Sequence, residues 1–343
     1  MILVIKLNLI SVQCNITAAF IHGRVTETIY VHQPRGFNCV KGDEVLRLKQ
    51  TLYGLKQSPR YFFHYLTERL IKQGISKSLI VIIYVDDILI HGKSDAEIVD
   101  LIDRLKRDDI ALHKEGTTEG YLGVDIQWDG NQITLLQEGL TKRIITALGL
   151  ESKYSTSVNT PADAVALGQD VGGKEASGSI NYSSGVGMLL YLGHSQPDIS
   201  FATHQCAQYT HSPKQSYVDA LKRIGRYLKG TLKNGLILNP SDTFQVDCYP
   251  DADFAGLWTR DDKHDPHCVC SCTGYVICLA NFPVLLKSKL QTKIALSRME
   301  AEYVALSTSC RDLFPLINIT KELSTAFPPL AGEYQHAYKY PRR

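Results

Sequence analysis

The sequence predicts an α+β protein of two domains joined by a linker. Its 343 residues exceed the roughly 100 to 200 residues of an ordinary single domain. Two β-rich apolar runs are followed by an amphipathic helix, which predicts a sheet covered by helices, and a stretch near the middle has few large apolar side chains. The composition, 44% hydrophobic and 21% charged, is typical of a globular protein and argues against a wholly disordered chain.

Charge, hydropathy and cysteine content exclude several classes of protein. The net charge of +2 does not by itself indicate a nucleic-acid-binding protein. The longest fully apolar run, residues 79–85, is far short of the roughly 18 residues that a bilayer span needs, so we predict no membrane association. Nine irregularly placed cysteines do not form a secreted disulfide framework. An intracellular protein is predicted, cytoplasmic or nuclear and not secreted.

The segments of the first half are predicted in chain order. The start, "MILVIKLNLISVQC", is apolar enough to raise a signal peptide, but Lys6 splits it and no small-residue cleavage site follows, so a buried first strand is predicted. The apolar spacing of "SPRYFFHYLTERLIKQG" predicts a helix. "LIVIIYVDDILIHG" predicts a hairpin with Asp86 and Asp87 at its tip. The helix "AEIVDLIDRLKRD" would cover that sheet with an apolar face.

The second half begins after an exposed linker, for which "GQDVGGKEASGS" is the strongest signal. "SYVDALKRIGRYLKGTL" predicts a helix with no acid over residues 222–233. Strand-like runs from Phe244 onward and the helix-like "RMEAEYVALSTSCRDL" predict a second α/β unit. The basic helix could face phosphates, or it could be a solvated basic face. Its cations are Lys222, Arg223, Arg226, Lys229 and Lys233.

The Asp86–Asp87 pair is the strongest chemical signal. Adjacent carboxylates are costly in an apolar core and sensible beside a divalent cation. Phosphoryl transfer by two metal ions uses such ligands, and a third carboxylate is normally required. The alternative is a polar turn between two strands, which would have no chemistry.

Ordered motifs decide between these alternatives. The segments "ITAAFIHG" (16–23), "YVHQPRGF" (30–37), "LYGLKQSPR" (52–60), "YVDDILI" (84–90) and "YLGVDI" (121–126) resemble a copia-type retrotransposon reverse transcriptase. The resemblance continues through the family's connection and RNase H regions, over nearly the whole chain. Its later motifs are "YLGHSQPDISFA" (191–202), "ALKRIGRYLKGT" (220–231), "DADFAG" (251–256) and "KSKLQTKIALSRMEAEYVALS" (287–307).

The resemblance implies a palm subdomain for RNA-directed DNA synthesis, followed by an RNase H-like α/β domain that degrades the RNA strand of a hybrid. It implies divalent metal, usually Mg²⁺, and an RNA/DNA template-primer or hybrid as partner. The predicted parts are a truncated palm and thumb remnant over 1–150, a flexible linker over 151–180, a helical connection over 181–240 and a C-terminally truncated RNase H-like domain over 241–343.

The polymerase motifs depart from the family pattern. The family's third metal ligand is an aspartate before the first motif, and the matching residue here is Asn15. An amide oxygen brings no negative charge to offset two divalent ions. The resemblance also implies that the fingers region, and a palm segment between Gly74 and Leu79, are absent. Gly54, Gln57 and Arg60 match positions around nucleotide and template.

The RNase H motifs depart as well. Asp251 matches the family's first carboxylate and Glu302 the second, with Glu300 as the alternative partner. We expect Asp251 and Glu302 to lie within reach of one Mg²⁺ ion. Glu333 stands weakly where the family has its third ligand, an aspartate, and the fourth ligand is expected to be missing.

One cysteine-rich segment, "HDPHCVCSC", has the ligand types of a zinc site. Its C-x-C-x-C spacing lacks the usual gaps of two to four residues, so no zinc is predicted, and an insertion or a frameshift scar is the preferred interpretation. The residues concerned are His264, His267, Cys268, Cys270 and Cys272.

The sequence therefore predicts a degenerate retrotransposon reverse transcriptase/RNase H fragment. The family is enzymatic, and the missing metal charge at both sites predicts a catalytically dead copy. Two alternatives stay open: a non-catalytic nucleic-acid-binding protein derived from a retroelement, and an active element with a faulty gene model.

Overall fold

The computed structural model describes residues 1–34, 36, 45–75, 78–130, 132–165, 167–176, 180–240, 243–256, 258, 268–328 and 330, and the backbone of 335–338. Helices and largely antiparallel sheets form a mixed α/β architecture. The chain divides into two compact units: residues 6–118, and residues 119–343 together with 1–5. In the described part of the chain, no helix is both long and apolar enough to cross a membrane.

The chain begins with a helix rather than the predicted strand. Helix α1 (Ile2–Lys6) buries Ile2 and Val4, and the buried strand β1 (Ile10–Ile16) starts only after it. The prediction was wrong for the first residues because a short continuous apolar run has no periodicity with which to separate helix from strand.

The unit of residues 6–118 is an antiparallel sheet covered by two helices. Its strand order is β4 (Ile80–Tyr84), β5 (Asp87–Gly92), β1 and β6 (Leu112–Thr117). Helix α2 is Ser58–Gln73 and helix α3 is Asp95–Arg107, and β2 (Tyr30–His32) pairs separately with β3 (Val45–Arg47). The predicted hairpin and both helices are confirmed.

Helix α3 shows why this unit is stable. The Ser94 hydroxyl accepts a hydrogen bond from the Glu97 backbone N–H at 3.3 Å and caps the helix. The apolar stripe of α3 is buried in the same core as Phe62 and Leu66 of α2, as its spacing predicts. Each such side chain contributes about 1.5 to 3 kcal/mol on burial. The buried stripe is Ile98, Leu101, Ile102 and Leu105.

In the other unit, residues 120–238 form a second sheet and four α-helices. Strands β7 (Gly120–Tyr121), β8 (Val124–Asp129), β9 (Gln132–Leu136) and β10 (Leu236–Leu238) pair in the order β10-β9-β8-β7. The helices are α4 (Glu138–Ala147), α5 (Tyr182–Leu192), α6 (Ser200–Ala207) and α7 (Gln215–Gly230), which pack around one apolar core. Because β10 pairs with β9, residues 120–147 share a compact unit with the later helices.

The last part of the chain forms a third sheet. Strands β11 (Gln245–Asp253), β12 (Cys272–Leu279) and β13 (Phe282–Leu290) are antiparallel neighbours, and β14 (Gln335–Tyr338) pairs with β11 in parallel. Helix α8 (Arg298–Ala326) lies in sequence between β13 and β14 and packs against β11 and β12. The sheet order is therefore β13-β12-β11-β14.

Candidate active sites and nucleic-acid-binding surface

Asp86 and Asp87 lie at a tight turn between β4 and β5. Tyr84 pairs with Asp87, so only Val85 and Asp86 form the loop. Val85 has a φ of 57°, a conformation that costs a β-branched residue on the order of 1 to 3 kcal/mol. The backbone N–H of Ile16 donates to the carbonyl of Asp86 at 2.8 Å. Strand β1 therefore holds a strained turn in place.

Asn15 lies directly across the sheet from Asp87. The two residues pair in register between β1 and β5, and Asn15 Nδ2 donates to Asp87 Oδ1 at 3.4 Å. Both aspartates are half-buried. The structure thus brings Asn15 beside Asp87, next to Asp86, as the motifs predict. The Asn15 side chain contributes an uncharged hydrogen-bond donor here and no anionic oxygen.

This donor set does not fit a two-ion site. Two carboxylates supply a charge of −2 against two divalent cations, and hard cations prefer anionic oxygen ligands. Among the described residues, no group of three or more His, Cys, Asp or Glu side chains could hold a metal ion.

The residues matched to nucleotide and template lie at the start of α2. Gly54 has a φ of +98°, and a Cβ there would have no neighbour within 4 Å, so the turn conformation rather than a close approach explains this glycine. Gln57 is half-buried at the N-cap of α2, and Arg60 is exposed in its first turn.

The carboxylates matched to the RNase H motifs lie on strand β11 and helix α8. Asp251 is exposed on β11 opposite Gly274, and Glu302 is half-buried near the start of α8 between the buried Ala301 and Ala305. Glu300 has another role: its carboxylate accepts from the Leu296 N–H at 2.7 Å, and its own N–H donates to the Ser297 hydroxyl at 3.1 Å.

Glu300, the alternative partner, is therefore part of the N-terminal cap of α8, where its carboxylate binds the backbone. The Ser-x-x-Glu pattern of residues 297–300 is a capping signature that could have shown this from the sequence. Glu333, His264 and His267 lie outside the described residues. Cys268 and Cys270 are buried and Cys272 is half-buried.

Two cations of the basic helix α7 bind the protein itself. Lys229 Nζ donates to the carbonyls of Leu150, Ser152 and Ser155 at 3.0, 2.7 and 3.0 Å. Arg223 donates to the Ala162 carbonyl at 3.1 Å and to the Thr160 hydroxyl at 3.0 Å. These side chains attach parts of the predicted linker to α7.

The other two cations of α7 are Lys222 and Arg226, and both are half-buried. Arg226 Nε is buried and has no hydrogen-bond partner within the described part of the chain. A phosphate-binding role for this helix therefore depends on Lys222 and Arg226.

Comparison with known proteins agrees with the motifs. Residues 2–162 match a family model described as reverse transcriptase (RNA-dependent DNA polymerase). The retrovirus-related Pol polyprotein from transposon RE1 of Arabidopsis thaliana is 30% identical, with 91% of this chain and 22% of that protein covered. The Pol polyprotein from transposon TNT 1-94 of Nicotiana tabacum is 31% identical, with 91% and 24% covered.

A shorter relative matches along its full length. A putative transposon Ty5-1 protein of Saccharomyces cerevisiae is 28% identical, with 87% of this chain and 100% of that protein covered. By contrast, the chain spans about a fifth of the length of the plant Pol polyproteins it matches.

Proposed function

The chain belongs to the reverse transcriptase family of copia-type retrotransposon Pol polyproteins, and from that premise we propose that this copy does not polymerise DNA. Reverse transcriptases generally use divalent metal ions. The observation that carries the proposal is the Asn15 amide at 3.4 Å from Asp87, which leaves two carboxylates to hold two cations. Asp86 and Asp87 are then remnants of a catalytic turn whose backbone geometry persists.

Primer extension tests this proposal. A primed RNA template with Mg²⁺ should give no DNA product above background with the chain as it stands. Asp86→Asn serves as the matched control, because it removes one of the two remaining carboxylates and should leave that background unchanged. Extension by the unaltered chain that disappears in Asp86→Asn would refute the proposal.

We further propose that the region after residue 240 is an RNase H-like domain without cleavage activity. Support comes from its topology, with three antiparallel strands, a long helix and a fourth strand parallel to the first. Asp251 and Glu302 are the proposed remnants of its metal site. The family model ends at residue 162 and does not reach this region.

A non-catalytic nucleic-acid-binding role is the second candidate function, with RNA, DNA or their hybrid as the partner. It is favoured by Lys222 and Arg226, the two α7 cations that bind no carbonyl among the described residues. Removing one cation that binds a phosphate should reduce the slope of log affinity against log salt by about 1.

The double variant Lys222→Ala/Arg226→Ala should therefore lower that slope by about 2. Arg223→Ala is the matched control, since it removes a cation of the same helix that donates to the protein. An equal slope in the double variant and the unaltered chain would leave α7 as a solvated basic face.

A further inference from the structure

Strand β4 forms one edge of the four-stranded sheet in the unit of residues 6–118. Its one neighbour among the described strands is β5, so the other side of its backbone, here called the β4 edge, has no strand beside it in that part of the chain. All five residues of Ile80–Tyr84 are aliphatic or aromatic. Ile82 and Tyr84 are 43% and 58% exposed. Such an edge presents backbone donors and acceptors that pair readily with another strand.

Other strand edges of the chain are protected in ways that proteins commonly use. Strands β7 and β10 have only two and three residues. Strand β6 carries Lys114 and Glu115 and pairs with β1 through a register shift, and β13 carries Lys287 and Lys289. Short length, charge and irregular pairing all discourage the addition of a strand. The β4 edge has no charge, and β4 pairs with β5 in a continuous register.

The turn after β4 determines which backbone groups point outward. Tyr84 and Asp87 are the last pair before a two-residue loop, and such a pair exchanges both of its hydrogen bonds across the hairpin. Because bonded and non-bonded pairs alternate along an antiparallel ladder, the N–H and C=O groups of Val81 and Ile83 point away from β5. Neither residue forms a backbone hydrogen bond on that outer side within the described ranges. The β4 edge therefore offers two donors and two acceptors.

We propose that the β4 edge pairs with the β4 edge of a second copy of this chain, antiparallel and about a two-fold axis at Ile82. In this register, Val81 of each copy exchanges two hydrogen bonds with Ile83 of the other, which satisfies all four outward groups of both edges. Ile82 faces its own counterpart on the axis. Ile80 faces Tyr84, an aromatic and β-branched pair of the kind that stabilises antiparallel strands. The two sheets join into one sheet of eight strands.

Self-complementarity favours a second copy over an unrelated strand. Every residue of β4 meets an apolar or aromatic residue in this register, and no like charges lie opposite each other because β4 has none. The Asp86 carboxylates of the two copies lie at opposite ends of the shared ribbon. Each copy uses its β4 edge completely, so assembly stops at two chains. Five residues a side bury far less than the roughly 1,200 to 2,000 Å² of a stable interface, so the dimer is weak and reversible.

Sedimentation velocity of the full chain in a reducing buffer tests the proposal, since thiol reduction excludes disulfide-linked dimers. Between about 1 and 200 µM, monomer and dimer should interconvert with a dissociation constant on the order of 10 to 100 µM. Ile82→Lys places two ammonium groups opposite each other on the axis and should weaken dimerisation by about tenfold or more. Ile71→Lys is the matched control: Ile71 is 73% exposed on α2, and its replacement should leave the equilibrium unchanged.

A mixing experiment separates loss of pairing from loss of folding. Ile82→Lys and Ile82→Glu should each be monomeric alone, whereas their equimolar mixture should dimerise, because an ammonium and a carboxylate then meet on the axis. A dimer in the mixture also shows that both variants are folded. An unaltered chain that is monomeric throughout the concentration range would overturn the proposal. So would an unchanged equilibrium in Ile82→Lys, a mixture that stays monomeric, or growth beyond two chains.

Discussion

Replacing Asn15 by aspartate should turn a hydrogen bond into a repulsion that a metal ion can relieve. The Nδ2 to Oδ1 distance of 3.4 Å sets the separation of the two carboxylates in Asn15→Asp. Two unit charges at about 3.4 Å repel by about 1 kcal/mol in bulk water and by about 5 kcal/mol at an effective dielectric constant of about 20. Because Asp87 is half-buried, the loss of unfolding free energy at pH 7 should lie between these limits.

Urea denaturation in EDTA and in Mg²⁺ measures this effect. In EDTA, Asn15→Asp should be less stable than the unaltered chain, and Mg²⁺ should restore most of the difference because the ion bridges the carboxylates. Asn15→Ala is the control: it loses the hydrogen bond, about 0.5 to 1.5 kcal/mol, and should not respond to Mg²⁺.

The pH dependence of the unfolding free energy of Asn15→Asp tests whether the introduced charge destabilises the fold. Repulsion raises the pKa of one carboxyl above its unfolded value, so the stability deficit is present at neutral pH and shrinks as pH falls through that raised pKa. Full stability of Asn15→Asp in EDTA, or an equal response of the unaltered chain to Mg²⁺, would refute the reasoning.

Two other outcomes are expected. Burial lowers the pKa of His91 to about 4, below its unfolded value near 6.5. The free energy of unfolding should therefore fall by about 3 kcal/mol as pH drops from about 6.5 to about 4. His91→Leu should flatten this dependence of unfolding free energy on pH, and an unchanged dependence would contradict the prediction. A Mn²⁺ titration should show weak binding that is lost in Asp251→Asn and in Glu302→Gln; binding retained in both would exclude a shared ion.

The sequence was informative where periodicity or a tight motif was strong. Helix α3 and the β4–β5 hairpin follow from spacing alone, and Asn15 falls beside Asp87 as the motifs indicate. The pairing of β10 with β9 could not be predicted, because a strand of three residues has no readable pattern and its partner lies about a hundred residues earlier. The roles of Arg223 and Lys229 were also hidden, since a cation that binds distant carbonyls is identical in sequence to one that binds phosphate.

Lys229 limits which amino-acid substitutions the fold can tolerate. An ammonium group has three N–H donors, and here each has a carbonyl acceptor on the segment that follows α4. Arginine would carry the charge, but its planar fork cannot point three donors at three converging oxygens. Substitutions that accumulate without loss of the fold should therefore avoid position 229, while Lys222 on the same helix can vary freely once no nucleic acid depends on it.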